Sequence, residues 1–542
     1  MEEAWFELLL ARTKVVNEEI EGGMSAMFAA AFRLFFNASG HDMAMAGISV
    51  RLFDGTDVRI FAKLDIVISD EAALHAIFAC KGSAGLKPCM LCQNVYNWKT
   101  LRQVVEKDET GVAQYHTCSD WRKFKLQTLG TIKAIANRLT NAAAIMTKAN
   151  LAELEVRLGW NYQPVSLIFQ PRALQICNPT QCVVFDWMHV FFVSGIFNIH
   201  AGQMMWALKQ YGITYATLEQ YVAPWQWPSY IGEGASKIFC VSRAKSSWEN
   251  GTLKATASEG LSILPIMANF AYSLAENCVT AAAVRDHARC FVMLADIVRL
   301  IQRCSRYQVD PDELQLAICN YLQTFKNLFG DEVMVPKFHY SVHFADYLRR
   351  FGFVPSCFVL ERKHKVPKRF ANEVRNTNSA WEASVLREVT CHHVAALTSG
   401  HFGVNVALQN AHKCSKKMLS MLQREIPARG CDVVYTTAQT ARINAWERCS
   451  KGDVVILKML DGAHDVAQVA LHVSVQVDQQ PPLCLTLVHL WEKVSVNARS
   501  SKWKRCEDAS GFVFTEDLQC SLIWAASGSI ATVLQPWQMD FD

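Results

Sequence analysis

The stretch LDIVISDEAALHAIFAC, residues 64 to 80, joins a run of apolar and β-branched residues to a helix-forming run through a single aspartate, Asp70. A short apolar run bounded by polar residues predicts a buried strand, and EAALHAIFAC predicts a helix that begins directly after it. A carboxylate at the carboxyl end of a strand, facing solvent, is well placed to bind a metal. Asp is also a favoured helix N-cap, because its oxygen accepts from a backbone N–H left over in the first turn. Upstream, GISVRLFDGTDVRIFAK (47 to 63) places Asp54-Gly55 between two apolar runs, which predicts a hairpin. Residues 1 to 38 have apolar positions recurring at three and four and predict one or two helices.

Downstream of the same helix comes KGSAGLKPCMLCQNV (81 to 95), with Cys89 and Cys92 on a turn marked by Gly and Pro. Two thiolates at this spacing can hold half of a tetrahedral zinc site, and the other half must come from elsewhere. The chain has 19 cysteines, and only this pair has ligand spacing; isolated ones such as Cys80, Cys240 and Cys319 predict core filling. From 120 to 335 long amphipathic runs predict a large helical block, including DPDELQLAICNYLQTFKNLFG, which has Pro311 in its first turn and Gly330 after its end. After residue 428 the text changes to short β-rich runs such as GDVVILKML and PLCLTLVHLW, which predict a small antiparallel barrel or sandwich.

Bulk composition narrows the function classes. At 542 residues and 51% apolar, the chain has enough for two to four domains with real cores. A net charge of +4 gives no whole-protein case for nucleic acid, so any such case rests on local clusters. The first residues, MEEAWFELLLARTK, are acidic where a secretory signal is basic, so the expectation is an intracellular protein. The longest apolar stretch, residues 182 to 199, is interrupted by Asp186 and His189, so no membrane span is expected.

Three further groups carry chemistry. In VVFDWMHVFF (183 to 192), Asp186 and His189 stand three apart, on one face if the segment is helical; they read equally as a buried hydrogen-bonded pair or as a functional one. In PKFHYSVHF (336 to 344), His339 and His343 stand four apart, the arrangement for two imidazoles to reach one metal. Glu361 opens a basic run containing Arg362, Lys363, Lys365, Lys368, Arg369 and Arg375. Such a run is usually a solvated helix face, but beside a metal-binding carboxylate it could neutralise phosphates.

In order and local context these residues resemble the catalytic core of eukaryotic cut-and-paste DNA transposases of the DDE/D type, particularly the CACTA (En/Spm) group. The elements that carry the resemblance are a strand ending in Asp70, the Cys89/Cys92 pair, DWMH at 186 to 189, a helical insertion, and ERKHK at 361 to 365. The chain is similar in a further respect to the Transib and V(D)J recombinases, in which a Cys pair after the second catalytic Asp and a His pair before the catalytic Glu share one zinc. Here the Cys pair lies 19 and 22 residues after Asp70, and the His pair 22 and 18 before Glu361.

The resemblance implies an RNase H-like α/β core interrupted by a large all-α insertion, with the small β domain outside it. The corresponding divisions are 1 to 119, 120 to 335, 336 to 427 and 428 to 542. It implies Asp70, Asp186 and Glu361 as catalytic carboxylates with Mg²⁺, His189 in support, a structural zinc on Cys89, Cys92, His339 and His343, and DNA contacts from Arg362, Lys363, Lys365, Lys368 and Arg369. Nuclear location and homo-oligomers follow for an active enzyme. No strand ending in Asp precedes Asp70: Asp42, Asp54, Asp57 and Asp65 fall in loops, the hairpin turn or the strand itself. If Asp70 is the second carboxylate, the core is incomplete and the chain is a truncated or degenerate copy; otherwise Asp70, Asp186 and Glu361 are themselves the triad. The closeness of the Cys pair to Asp70 favours the first. The alternative function is a non-catalytic, zinc-stapled DNA- or chromatin-binding protein.

Overall fold

A computed structural model of the chain describes residues 7–36, 42–98, 107–108, 111–231, 237–277, 279–305, 308–374, 381–399, 406–427, 432–443, 447–459 and 464–534. Helices Thr13–Glu18 and Gly23–Phe36 come first. Strands β1 (Ile48–Arg51) and β2 (Asp57–Ile60) then form a hairpin, with Ile48 opposite Ile60 and Arg51 opposite Asp57. Gly55 makes this turn with φ of 85°, a conformation that costs glycine little, and the Asp54 carboxylate accepts from the Thr56 N–H.

Strand β3 (Val67–Ser69) leads into helix α1 (Glu71–Phe78). Asp70 caps this helix, its Oδ1 accepting from the Ala73 N–H at 2.6 Å, and Ala79 ends it in the left-handed conformation. Over a hundred residues later β4 (Val183–Phe185) pairs parallel with β3, Ser69 standing beside Phe185. The segment VVFDWMHVFF is therefore not one helix. Its β-branched start is extended and buried, Asp186 is an N-cap, and helix α2 (Trp187–Phe192) follows.

Further along come a short strand β5 (Trp225–Gln226) and the helices α3 (Ala257–Glu276) and α4 (Ala282–Arg303). Thr256 and Glu259 form a capping box at the start of α3. Helix α5 (Pro311–Phe329) has the expected punctuation: Asp310 accepts from the Asp312 N–H, Pro311 occupies the first turn, and Gly330 follows with φ of 82°. Then come α6 (Pro336–Tyr340), a 3₁₀ turn (Ser341–His343), α7 (Phe344–Phe351), α8 (Phe358–Lys363), α9 (Lys365–Glu373) and α10 (Trp381–Thr398).

The C-terminal part is a curled antiparallel sheet of β6 (Val433–Ala438), β7 (Val454–Lys458), β8 (His464–Val477), β9 (Leu483–Val496), β10 (Ser500–Phe514), β11 (Leu518–Leu522), β12 (Trp524–Ser527) and β13 (Ile530–Leu534). The curl comes from β8, whose first half pairs with β7 and second half with β6 on the same edge, while β9 runs along the other. Register shifts in β8/β9 and β9/β10 let such long strands bend. Trp491, Trp503, Trp524, Val454 and Ile456 fill the inside.

The chain falls into two compact units: residues 1–197 with 307–394, and residues 198–306 with 395–542. The first is mostly helical around the β3–β4 pair. In the second, the helical segment is joined to the sheet: β5 extends it beyond β12, and the buried Asp453 carboxylate accepts from the Ser229 N–H and hydroxyl, both at 2.9 Å. Among the described residues no helix is long and apolar enough to cross a membrane.

Candidate metal centre

Cys89 and Cys92 lie in the loop after α1, and His339 and His343 lie on α6 and the turn that follows it. All four side chains are buried, and their ligand atoms lie within 4.8 Å of one another. His343 Nε2 is 3.5 Å from Cys89 Sγ and 3.7 Å from Cys92 Sγ. In a tetrahedron with Zn–S of about 2.3 Å and Zn–N of about 2.05 Å, the S···N edge is about 3.5 Å, so these spacings fit one zinc-sized ion. The rings of His339 and His343 stand perpendicular, with centroids 5.1 Å apart.

Burial and mutual charge set the protonation of the cluster. Burial by itself pushes the Cys89 thiol up, but the Cys92 thiol and the two histidines outweigh it and hold Cys89 well below the usual thiol range. Burial, then the Cys89 thiolate, pushes Cys92 up in turn. Burial also holds the His339 imidazole below its usual range, hence neutral. Among the described residues neither ring nitrogen of His339 makes a hydrogen bond of good geometry, the Cys89 thiolate acting on it through charge and a looser contact. Two orphaned nitrogens in a site with no water contact would cost about 1–3 kcal/mol each, a cost that a metal bond removes for the ligating atom. The four residues thus form a buried cluster able to hold a metal such as zinc, bridging segments some 250 positions apart in sequence.

Packing fixes this cluster against the β3–β4 pair. Tyr340, between the two histidines, stacks on Phe185 of β4 at 4.2 Å, and its one hydroxyl hydrogen is shared between Glu71 Oε1 at 3.0 Å and the Pro88 carbonyl at 2.9 Å. The Tyr347 hydroxyl of α7 accepts from the Phe185 N–H.

Two of the acidic residues, Asp70 and Asp186, follow the carboxyl ends of that strand pair. Asp70 is exposed and caps α1. Asp186, next to it across the parallel register, is buried; its Oδ1 accepts from the N–H of Met188 (3.1 Å) and Cys357 (2.9 Å), and its Oδ2 from the His189 N–H (3.1 Å) and from His189 Nδ1. Cys357 is the N-cap of α8, so Asp186 ties the start of that helix to β4, and Trp187 packs on Phe358 beside it. Glu361 is exposed one turn into α8. Burial first, then the charge and hydrogen bond of Asp186 and the charges of Glu361 and Asp70, push the Cys357 thiol up. Asp186, His189 and Cys357 also bring ligand atoms within 4.8 Å of one another.

Lys337 was not legible in the sequence as part of this group. Its ammonium donates to the Val193 carbonyl at the end of α2; burial pulls its pKa down, against the charges of Glu71, Asp70 and Asp186. Its partners lie some 150 to 270 residues away, so no local pattern announces it. Of the basic run, Arg362, Lys365, Lys368 and Arg369 are exposed, whereas Lys363 is buried with its Nζ 3.2 Å from His393 Nδ1. Arg375 lies outside the described residues. No protein-family model matches the chain, and no curated protein matches it.

Proposed function

We propose that the chain is a transposon-derived, DDE/D transposase-like protein that acts on DNA in the nucleus, with Asp70 and Glu361 as the divalent-metal carboxylates of an RNase H-like core. The observation that carries this reading is the parallel β3–β4 pair, which delivers Asp70 and Asp186 side by side at its carboxyl ends, with the helix of Glu361 hydrogen-bonded to Asp186. The same pairing supports taking Asp70, Asp186 and Glu361 together as the acidic set. Zinc on Cys89, Cys92, His339 and His343 would hold the loop after α1 to α6, and so keep the segments bearing Asp70 and Glu361 in one piece.

Bound at the carboxylates, Mg²⁺ supplies activation of water or a DNA 3′-hydroxyl and stabilisation of the leaving oxygen in an in-line displacement. The residues of this chain orient the site: Asp70 offers the oxygen that its cap does not use, Asp186 fixes α8, and Lys337 offsets the concentration of negative charge. The exposed Arg362, Lys365, Lys368 and Arg369 beside Glu361 give DNA phosphates a place to lie. An active enzyme of this kind would work as a homo-oligomer. Cleavage of labelled DNA in Mg²⁺, abolished by Glu361→Gln, is the expected result.

The second reading, a non-catalytic zinc-stapled DNA- or chromatin-binding protein, draws on the hydrogen-bond saturation of Asp186. Under it the chain binds DNA without cutting, and Glu361→Gln changes nothing.

A further inference from the structure

We infer that Cys177 and Cys182 are a dithiol–disulfide site: a low-molecular-weight disulfide such as oxidised glutathione converts them to one intramolecular disulfide, which braces the start of β4. This goes beyond the transposase-like reading and does not rest on it.

The two sulfurs already touch. Their Sγ atoms are 3.4 Å apart, and the residues are 0% and 3% exposed. Among the described residues no third histidine, cysteine or carboxylate joins them to make a group able to hold a metal, in contrast to Cys89 and Cys92. A tetrahedral zinc takes four donors, so a sulfur pair with no further ligand suits a disulfide rather than an ion. A disulfide needs the sulfurs about 2.05 Å apart, so they have about 1.3 Å to close, within reach of a side-chain rotation.

The backbone between them folds into a tight turn. Cys177 follows the helix Pro171–Ile176, its N–H bonded to the Ala173 carbonyl, and Cys182 ends the short helix Pro179–Cys182. Asn178 closes the turn: its side-chain oxygen accepts from the Thr180 N–H and hydroxyl at 3.2 and 2.9 Å, and its carbonyl from the Gln181 and Cys182 N–H groups, both at 2.9 Å. Gln175 and Gln181 are exposed, and Ile176 and Thr180 are half-buried, so the turn runs along the surface and a local opening admits the oxidant. The hydrogen bond to Cys182, then burial, push the Cys177 thiol up. Cys177 therefore keeps its proton in the closed, reduced turn, and exchange is slow, over minutes to hours.

Once the turn opens, one cysteine thiolate attacks a sulfur of oxidised glutathione; that S–S bond breaks, a mixed disulfide forms and one glutathione thiolate leaves. The second cysteine thiolate attacks the protein sulfur of the mixed disulfide and releases the second glutathione. The two cysteines lose two electrons, the one oxidised glutathione gains them, and the two thiol protons end on the two glutathione thiols. The product closes a ring of six residues directly before Val183, the first residue of β4, which pairs with β3. A cross-link there limits how far the segment leading into β4 can open.

The test incubates the full, zinc-loaded chain with oxidised glutathione, quenches with acid, alkylates after denaturation and maps tryptic peptides. Cleavage after Arg172 and Lys209 leaves Cys177 and Cys182 together in a peptide with no other cysteine. That peptide is expected to lose the mass of two hydrogens, to escape alkylation and to regain both thiols in dithiothreitol. Hydrogen exchange of the Val183–Phe185 amides should slow about threefold or more on oxidation. In Cys177→Ala and in Cys182→Ala the peptide should instead carry one alkylated or glutathionylated sulfur, and the exchange of β4 should not respond to oxidant. Zinc content checks that Cys89 and Cys92 stay loaded. If both thiols of the wild-type peptide remain alkylatable, or the bond forms only after denaturation, the site is overturned. If the bond forms but exchange in β4 is unchanged, or slows equally in the two variants, the bracing role is overturned.

Discussion

At the residue scale, the chemistry of the metal cluster sets the largest expected effects. Structural zinc contributes about 10–16 kcal/mol of apparent binding free energy in small zinc domains, comparable to the whole net stability of about 5–15 kcal/mol of a typical protein. Purified protein is therefore expected to carry about one zinc per chain by elemental analysis, and Cys89→Ser or His343→Ala should remove most of it and lower the melting temperature by many degrees. A different single residue governs acid sensitivity. His472 is buried in the sheet, its Nε2 donating to the Cys449 carbonyl and its Nδ1 facing the Thr486 hydroxyl; burial pulls its pKa down to about 4. Between the ordinary value near 6.5 and about 4, the unfolded chain takes up a proton that the folded chain refuses, so stability falls as pH drops through that window, by at most about 3 kcal/mol. Urea titrations at several pH values should show this slope, and His472→Gln should flatten it.

At the scale of elements, helices α8 and α9 show how a run of like charges divides. Arg362, Lys365, Lys368 and Arg369 are exposed, and Lys363 is turned inward toward His393 of α10. If DNA lies along this face, Lys368→Ala and Arg369→Ala should each reduce the salt dependence of binding by about one unit of slope. Lys363→Ala should instead lower the melting temperature and leave the slope unchanged. The helix period alone could not separate these positions, because which side faces inward depends on where α10 packs. Element types were easier to read: the Asp54-Gly55 hairpin, the strand ending at Asp70 and the punctuated helix 311–329 all follow from local residues. The segment 183–192 was harder, because an apolar run suits a buried helix or strand equally; pairing with β3 decided it.

At the scale of the whole molecule, the metal cluster belongs entirely to one compact unit and the curled sheet to the other. Removing zinc with a chelator is therefore expected to raise hydrogen exchange in β3, β4, α6 and α7, which surround the cluster, while β8, β9 and β10 keep their protection. Loss of protection in those three sheet strands on chelation would mean that the metal supports more than its own unit.

What the sequence by itself determined is local: ligand-type residues at spacings of three and four, a capped helix after a buried strand, a basic run after an acid, and a change from helical to β patterning near residue 428. These follow from backbone periodicity and side-chain chemistry within a few residues of each other. Only the tertiary structure decided that Cys89 meets His343, that Asp70 and Asp186 end neighbouring strands, that Asp186 also holds the Cys357 N–H, and that the Lys337 ammonium reaches the Val193 carbonyl. The Cys89–His343, Asp70–Asp186 and Asp186–Cys357 pairings join groups over a hundred residues apart, and such contacts are set by how apolar faces pack and by which buried polar groups must find partners, neither of which is written at any single position.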